Sequence, residues 1–251
     1  MLDYDGTLAP FARDRMQARP YPGVAERLRQ LARAPRLRLV LVSGRPALEL
    51  SSLLPSGLRV EIWGSHGREC LHPDGTHTAV PLAPAQQHCL DQLEAALHER
   101  GLAHVIEKKI GSMALHTRGL PESDARQIAA LTGEFSCLLP DAGPEGPGLE
   151  WLPFDGGYEL RGSGCTKATA VHSILGDEPP GTPAAYLGDD QTDEDAFLAL
   201  REYGAAGSSL AVLVRPEPRP TAADLWIRPP EELLAFLDSW LAAVTGSWEQ
   251  G

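Results

Sequence analysis

Leu2-Asp3-Tyr4-Asp5-Gly6-Thr7-Leu8 is the stretch of this 251-residue sequence that decides its fold. The pattern predicts the end of a strand followed by a turn at Gly6. Alternate residues of an extended segment point the same way, so the side chains of Asp3 and Asp5 begin on one side before the turn redirects the second. Two nearby carboxylates repel each other unless a cation lies between them. The stretch therefore indicates a hard, oxygen-seeking Mg²⁺ ion, which would also screen a phosphate from an aspartate nucleophile.

Outward from this stretch, short apolar strands alternate with amphipathic helices. Strands are predicted at 37–42, 58–63, 184–187 and 210–214. Helices are predicted around 24–31, from Pro46, over 166–175 and 193–201, and through 233–241. Buried strands separated by helices require crossover connections, which are typical of a parallel sheet. The carboxyl ends of such strands are where α/β folds bind their ligands, so we expect Asp3 and Asp5 at that edge.

Residues 83–157 have a different rhythm, which indicates a separate α+β insertion. The segment predicts a helix over 84–100, paired strands within 103–117, a helix from Pro121, and strands near Phe135 and Trp151. The fold class is therefore α/β. A parallel-sheet core is expected over 1–82 and 158–251, with the insertion over 83–157.

Val42-Ser43-Gly44-Arg45-Pro46 is a second place where a predicted strand ends and a helix begins. Ser43 and the free N–H groups of that helix start can hold phosphoryl oxygens. An ordinary serine cap and turn explains the same residues equally well.

Lys167 follows Gly162-Ser163-Gly164 at the start of a predicted helix. A cation is unfavourable there because the N-terminal end of the helix macrodipole is positive, unless a negative group lies opposite. A phosphate and the N-terminal aspartates would supply that group. A solvated surface lysine is the simpler interpretation of Lys167 alone.

The most acidic stretch, Gly188-Asp189-Asp190-Gln191-Thr192-Asp193-Glu194-Asp195, follows the predicted strand 184–187. Charge that complements a helix dipole explains the residues from Asp193 onward. It does not explain Asp189 and Asp190, which precede the helix at the strand tip and again require a cation. Each of the four motifs has an ordinary explanation, but their joint occurrence in this order favours a phosphate-processing site.

These motifs resemble, in content and order, the four motifs of the haloacid-dehalogenase-like superfamily. Closer signatures are similar to those of the trehalose-6-phosphate phosphatase family. They are Asp3 to Leu8, Val42 to Arg45, Gly64-Ser65-His66-Gly67-x-Glu69, Glu107-x-Lys109, Ala114-Leu115-His116-x-Arg118, Gly156-Gly157-Tyr158-Glu159-Leu160-Arg161, and Gly188 to Glu194. The resemblance runs over nearly the whole chain and implies a Rossmann-like hydrolase core with an inserted cap domain.

The resemblance also implies roles for individual residues. The expected catalytic residues are Asp3 as nucleophile, Asp5 as acid and base, Ser43 and Lys167. The expected Mg²⁺ ligands are Asp3, Asp5 (through its main-chain carbonyl) and Asp189. Asp190 and Asp193 are expected to support this site. The expected substrate-binding residues are Gly6, Thr7, Gly44, Arg45, His66, Glu107, Lys109, His116, Arg118, Glu159 and Arg161. The implied substrate is a phosphorylated disaccharide, trehalose 6-phosphate.

Two departures from the family pattern stand out. Only Met1 and Leu2 precede Asp3, whereas the family has several apolar residues there, and a longer native first strand would account for this difference. The third motif reads Lys167-Ala168 instead of Lys-Gly, for which we expect only a small local adjustment because Ala is a better helix former.

Three alternatives stay open at the level of sequence. A phosphatase for another substrate, such as sucrose 6-phosphate or mannosyl-3-phosphoglycerate, would share the core motifs and differ in the cap. A phosphotransferase or mutase would shield the phosphoenzyme from water. A non-catalytic sugar-phosphate-binding domain is typically marked by loss of Asp3, Asp5 or Lys167, and all three are present.

The composition excludes some classes of protein. Hydrophobic residues make up 43% of the chain and charged residues 22%, which is typical of globular proteins. The net charge of -12 disfavours nucleic acid or anionic membranes as partners. No apolar run approaches the roughly 20 residues that span a bilayer, and the N-terminus lacks a signal pattern. We therefore expect a cytoplasmic monomer without nucleic-acid or membrane partners.

Overall fold

The computed structural model describes residues 1–12, 14–138, 148–154, 156–204 and 208–246. The chain divides into two compact units. The larger comprises Met1–Thr78 and Thr166–Gly251, and the smaller comprises Ala79–Cys165. None of the helices in the described ranges is both long enough and apolar enough to cross a bilayer.

The larger unit is built on a mostly parallel sheet. Its strands are β1 Val40–Val42, β2 Glu61–Gly64, β3 Glu69–Leu71, β4 His77–Ala79, β9 Ala184–Gly188, β10 Ser209–Val214 and β11 Leu225–Ile227. Leu2 pairs in parallel with both Leu41 and Leu187, so the N-terminal segment lies between β1 and β9. The order is β4-β3-β2-β1, the N-terminal segment, then β9-β10-β11, with β3 antiparallel to β2. The predicted parallel core is confirmed.

Helices cover both faces of this sheet. They are α1 Val24–Arg33, α2 Ala47–Leu53, α5 Lys167–Gly176, α6 Glu194–Tyr203 and α7 Glu231–Thr245. Leu2 and Leu41 pack in one apolar cluster with α1, α2 and α7, whereas Val42 and Tyr186 pack in another with α5 and α6. Adjacent strand residues point to opposite faces, so these short strands are apolar throughout because both faces are buried.

The smaller unit is an antiparallel sheet with two helices. Its elements are α3 Pro84–Glu99, β5 Ile106–Lys109, β6 Ser112–His116, α4 Glu122–Leu138, β7 Leu149–Phe154 and β8 Gly157–Gly162, with strand order β5-β6-β8-β7. One face of the sheet packs against α3 and α4 through Met113, Leu115 and Leu160. The opposite face carries polar side chains of β5, β6 and β8, and some of them, such as Ser112 and Glu159, are also buried.

Two sequence-based predictions differ from the structure. Residues 79–82 and 158–165, expected in the core, belong to the smaller unit, where β8 lies between β6 and β7 in the sheet. The strand expected near Phe135 is instead part of α4, where Ile128, Leu131 and Phe135 are buried in one cluster. Their spacing of three and four residues is helical, and tertiary packing outweighs the strand preference of an isolated aromatic.

Candidate active site

The first motif places Asp3 at the carboxyl edge of the larger sheet. The Asp3 N–H donates to the carbonyl of Leu187 at 2.8 Å, and the chain then turns back at Gly6. Gly6 has a φ of +84°, and a methyl group there would lie 2.1 Å from Asp189 Oδ2. The motif therefore requires glycine twice, for its left-handed backbone and for the close approach of Asp189.

A buried ion-pair network lies at this edge. Lys167 Nζ donates to Asp3 Oδ1 at 2.8 Å and to Asp193 Oδ1 at 2.7 Å. The side chains of Lys167, Asp3 and Asp193 are 3%, 4% and 0% exposed. Although burial lowers the pKa of Lys167, the carboxylates around it raise the pKa overall, so the ammonium stays charged. The lysine at this helix start thus has the negative partners that its position requires.

Asp193 is a support rather than an open ligand. Its Oδ1 accepts bonds from Lys167 and from the Tyr186 hydroxyl at 2.8 Å. Its Oδ2 accepts the backbone N–H groups of Asp189 and Asp190 at 3.0 and 3.1 Å. A carboxylate has about four lone-pair sites, and these four donors use that capacity. Asp193 therefore orients both Lys167 and the loop that carries Asp189.

Asp3 and Asp189 fit a divalent cation. Within the described ranges, the carboxylate oxygens of Asp3, Asp189 and Asp193 lie within 4.8 Å of one another. Burial, with the nearby Asp193 and Asp190 charges, raises the pKa of Asp189 to about 7. Burial likewise raises the pKa of Asp3, against the opposing effect of Lys167. Crowded, buried carboxylates of this kind are stabilised in ionised form by a hard cation.

Asp190 faces outward from this cluster. Its Oδ1 accepts the N–H and hydroxyl of Thr192 at 2.8 and 2.7 Å, and it lies 4.0 Å from Lys167 Nζ with 47% of its side chain exposed. Burial favours a higher pKa, but Lys167 and the bonds from Thr192 hold the pKa of Asp190 below its usual value. The residue caps the turn that follows β9.

Three residues outside the recognised motifs support this loop. Tyr186 is fully buried, and its hydroxyl reaches Asp193. Arg215 donates to the Asp189 carbonyl at 3.0 Å, and Arg219 donates to the Asp190 carbonyl at 2.6 Å. The sequence carries no direct signal for these contacts, because a tyrosine in an apolar strand and arginines in the Pro-rich stretch Arg215-Pro216-Glu217-Pro218-Arg219-Pro220 do not reveal their distant partners.

The second motif forms a tight turn beside β1. Ser43 is buried, and its Oγ accepts the Arg45 N–H at 3.1 Å. His66 lies close to Gly44, where a methyl group would be 2.6 Å from its Nε2.

A second turn is formed by Ser65 and His66, which both have left-handed φ values, +50° and +55°. Such values are uncommon for residues with a side chain, and they mark this turn as one held by its surroundings.

Glu69 holds that turn in place. Its Oε1 accepts the Ser65 hydroxyl at 2.5 Å and the Ala47 N–H at 3.2 Å, and its Oε2 lies 2.6 Å from His77 Nε2. The carboxylate is buried and also lies at the N-terminus of α2, where negative charge is favourable. Sequence analysis noticed Glu69 only as part of a motif and assigned it no role.

Asp5 lies in a separate ion-pair chain. Its two oxygens accept Arg45 Nε at 2.5 Å and Arg45 Nη2 at 2.7 Å. Arg45 Nη1 donates to Glu49 at 2.8 Å, and Glu49 in turn pairs with Arg15.

Thr7, of the first motif, is fully buried, and its hydroxyl lies 3.5 Å from Asp189.

The smaller unit presents a second set of predicted residues. We use "polar face" for the sheet side formed by Glu107, Lys109, Ser112, His116, Glu150, Glu159 and Arg161. Strand register places these side chains together, since Glu107 aligns with Ala114 and Glu159, and Lys109 with Ser112 and Arg161. Arg118 follows β6 in a turn, where its N–H donates to the carbonyl of Gly156.

Glu159 is the centre of the polar face. It accepts Lys109 Nζ at 3.0 Å and the Ser112 hydroxyl at 2.6 Å. At one side His116 lies 2.7 Å from Glu107, and at the other Arg161 pairs with Glu150 at 2.6 Å. The side chains of Lys109 and Glu159 are each 11% exposed. Such a row of donors and acceptors is suited to binding hydroxyl groups.

Comparisons with known proteins agree with the motifs. The sequence model of the family described as trehalose-phosphatase matches residues 1–137. A trehalose-phosphate phosphatase of Mycobacterium ulcerans (strain Agy99) is 33% identical over 220 residues, which cover 82% of this chain and 52% of that protein. A trehalose-phosphatase of Schizosaccharomyces pombe is 27% identical over 249 residues, covering 94% of this chain and 30% of that protein. The chain spans about half the length, or less, of these curated relatives.

The fold is also similar to solved structures. Trehalose-6-phosphate phosphatase from Aspergillus fumigatus superposes with a TM-score of 0.67, over 98% of this chain and 91% of that chain, at 23% identity. At this level of identity the likeness shows the fold: an α/β core with a second unit inserted into it.

Proposed function

Because the chain belongs to the trehalose-phosphatase family, we propose that it is a phosphatase that hydrolyses trehalose 6-phosphate to trehalose and phosphate. One observation carries this proposal. The carboxylate of Asp3 is buried, 2.8 Å from Lys167 and beside Asp189, which is an arrangement for an anionic nucleophile that must approach an anionic substrate.

Asp3 acts as the nucleophile. Its carboxylate attacks phosphorus in line with the leaving sugar oxygen and forms an aspartyl-phosphate, which divides one difficult hydrolysis into two easier steps. Lys167 bonds one oxygen of Asp3 and so restricts the direction of attack. Asp193 holds Lys167 from its other side, which keeps the ammonium in place as charge moves.

Asp5 acts as the general acid and base. It protonates the departing sugar oxygen in the first step and takes a proton from the attacking water in the second. Asp5 pairs with Arg45, whereas Asp3 pairs with Lys167. One carboxylate is therefore free to react with phosphorus while the other handles the proton.

A magnesium ion would be held by Asp3, by Asp189 and, as in the family, by the main-chain carbonyl of Asp5. When bound, it supplies charge neutralisation between the phosphate and the carboxylates. Tyr186, Arg215 and Arg219 keep the Asp189 loop in position through Asp193 and through the loop carbonyls. Asp190 caps the same loop.

Ser43 and Lys167 stabilise the transferring phosphoryl group. Lys167 provides the positive charge that the group needs as its oxygens become more negative. Ser43 follows β1 directly, and its hydroxyl would donate a hydrogen bond to a phosphoryl oxygen. Gly6, Thr7, Gly44 and His66 shape the surrounding turns and would contact the phosphate through their backbone or side chains.

The polar face selects the sugar. Glu107, Lys109 and Glu159 recognise its hydroxyl groups, with His116, Arg118 and Arg161 beside them. Polar recognition suits this task, because a buried carboxylate left without its hydroxyl partner strongly rejects the wrong substrate. In the cell we expect a cytoplasmic monomer that acts on this small molecule.

A phosphate-release panel tests the function. The substrates are trehalose 6-phosphate, sucrose 6-phosphate, mannosyl-3-phosphoglycerate and glucose 6-phosphate, each with Mg²⁺ and with chelator, using the native chain and Asp3→Asn. We expect release from trehalose 6-phosphate to exceed the others by at least about tenfold and to stop with chelator or without Asp3. Greater release from another sugar phosphate would overturn the substrate, and release that persists in Asp3→Asn would overturn the mechanism.

A further inference from the structure

Asp5 and Arg45 form a bidentate ion pair. Both oxygens of Asp5 accept from the same guanidinium, at 2.5 and 2.7 Å. This bidentate arrangement fixes direction as well as distance, because the guanidinium fork is planar and rigid. Arg45 is therefore already engaged by a residue of the active site, although its motif suggested a direct contact with substrate.

Arg45 is itself held from several sides. Its remaining terminal nitrogen donates to Glu49 at 2.8 Å, and its guanidinium carbon lies 5.9 Å from the centre of the Tyr4 ring. Glu49 is bonded in turn by Arg15, from the segment that follows the first motif. Burial lowers the pKa of Arg45, but its bonds to Asp5 and Glu49 raise it overall. The guanidinium is thus a fixed cation.

The pair with Arg45 leaves Asp5 able to make further hydrogen bonds. A carboxylate has about four lone-pair sites, and a bidentate guanidinium uses two of them. The other two remain available, in directions that the guanidinium plane determines. A fixed carboxylate loses less orientational freedom on reaching the transition state than a mobile one.

We propose that Arg45 is a positioning residue, which acts through Asp5 by holding its carboxyl group in one direction, so that the protonated group gives its proton to the leaving oxygen and the resulting carboxylate takes one from the attacking water. This inference rests on the proposed function, in which Asp5 is the general acid and base. Arg45 then contributes to the reaction without touching the substrate, and Glu49 contributes one step further away.

A similar pair elsewhere provides a matched control. Arg27 of α1 is bidentate to Asp238 of α7, at 2.7 and 2.6 Å. Its geometry equals that of the Arg45 pair, but its side chains are 25% and 52% exposed, against 9% and 24% for Arg45 and Asp5. Arg27→Gln therefore removes the same chemical interaction away from the residues assigned to the site.

The test is a double-mutant cycle read with substrates of different leaving groups. We would measure kcat/KM for para-nitrophenyl, phenyl and ethyl phosphate with the native chain, Arg45→Gln, Asp5→Asn, the double variant and Arg27→Gln. The ratio kcat/KM reports the steps up to departure of the leaving group. A nitrophenolate leaves without a proton, whereas an ethoxide requires one, so only the second depends on Asp5.

We expect Asp5→Asn to lower kcat/KM for ethyl phosphate about 100-fold more than for para-nitrophenyl phosphate. Arg45→Gln should show the same preference at about tenfold or more, and the double variant should be within about twofold of Asp5→Asn alone. Arg27→Gln should leave all three substrates within about twofold of the native chain. Inhibition by inorganic phosphate, which needs no leaving group, should stay within about threefold in Arg45→Gln.

Two results would overturn the inference. One is an equal loss on all three substrates in Arg45→Gln, which would indicate contact with the phosphate. The other is a loss that multiplies with that of Asp5→Asn, which would indicate a role independent of Asp5. If Arg45→Gln does not fold, Arg45→Lys decides in the same cycle, because it keeps the charge and loses the bidentate fork.

The test of Arg45 is independent of the proposed substrate, since the three phosphate esters used as probes contain no sugar. A native chain that hydrolyses them but not trehalose 6-phosphate would refute the substrate and leave the Arg45 test intact. Conversely, hydrolysis of trehalose 6-phosphate with uniform losses in Arg45→Gln would support the function and refute the positioning role.

Discussion

The ion-pair network around Lys167 and the polar face of the smaller unit both pair a lysine with carboxylates, but the two regions differ in how the pairs are held. Lys167 is 3% exposed and is shared by two carboxylates from separate strand ends. Lys109 is 11% exposed and pairs with Glu159 across one sheet. In the first region each charge depends on several others, whereas in the second the bonds follow strand register. Both arrangements are largely buried, but the first joins distant parts of the chain whereas the second follows the alignment of neighbouring strands.

The largest expected effect is at Asp3. Asp3→Asn keeps the shape of the side chain but removes the proposed nucleophile, so turnover should fall by about 10⁴-fold or more. Acid-quenched samples should contain no phosphorylated protein. Accumulation of an acyl-phosphate in this variant would show that another residue is attacked, and the contrast between the two regions would then be wrong.

Replacement of Lys167 should have the next largest effect. Lys167→Met leaves Asp3 and Asp193 buried without their cation, which should lower the free energy of unfolding by about 3–5 kcal/mol and turnover by at least about 100-fold. Denaturant unfolding and phosphate release measure the two effects.

Lys108→Met supplies the matched control for that change. Lys108 pairs with Glu94 but is 61% exposed, so its removal should change the unfolding free energy by less than about 1 kcal/mol. Equal losses in the two variants would remove the distinction between buried and exposed lysines.

Stability against pH tests the Asp189 loop. The pKa of Asp189 is raised to about 7 by burial, so between about pH 4 and pH 7 the folded chain binds a proton that the unfolded chain releases. Stability in chelator should therefore fall as pH rises through this window, because the unfolded state binds fewer protons there.

Asp189→Asn and added Mg²⁺ should both flatten this pH dependence. The amide does not titrate, and a cation at Asp189 favours the ionised carboxylate. Denaturant midpoints at pH 5 and pH 8 provide the measurement, with an expected difference of a few kcal/mol at about 1.4 kcal/mol per pKa unit. The difference between the native chain and Asp189→Asn isolates Asp189, because the other buried groups titrate in both proteins, and an identical pH dependence of the two in chelator would contradict the assignment.

The smallest and most selective effect is expected on the polar face. Glu159→Gln should lower kcat/KM for trehalose 6-phosphate about 10- to 100-fold, because the sugar loses a charged acceptor. Para-nitrophenyl phosphate should change by less than about twofold. Glu94→Gln, in another ion pair of the same unit, is the control, and equal losses on both substrates in Glu159→Gln would refute a role in sugar selection.

Sequence reasoning predicted the first region well because its residues occur at strand ends. Asp3, Lys167, Asp189 and Asp193 come from three distant parts of the chain, yet the alternation of apolar strands and helices places all of them at one sheet edge. The structure brings these four together as expected. It does not bring Asp5 into direct pairing with Lys167, but with Arg45.

The supporting residues escaped sequence reasoning. Tyr186 reads as one more apolar strand residue, because only a partner at a distant position reveals the use of its hydroxyl. Arg215 and Arg219 lie in a Pro-rich loop whose targets are main-chain carbonyls, and such targets leave no mark in the sequence. The strand prediction at Phe135 is wrong because helical spacing competes there with the strand preference of aromatics.

The sequence by itself determined the class of fold and the carboxylates of the first and last motifs, and it predicted a cation between them. These follow from local patterns: the period of apolar residues, glycine at a turn, and the repulsion of adjacent charges. Only the tertiary structure decided how each carboxylate is used. Asp193 is saturated by four donors, Asp189 is left for a metal, and Asp5 is fixed by Arg45, because the capacity of a buried polar group depends on neighbours that are distant in the chain.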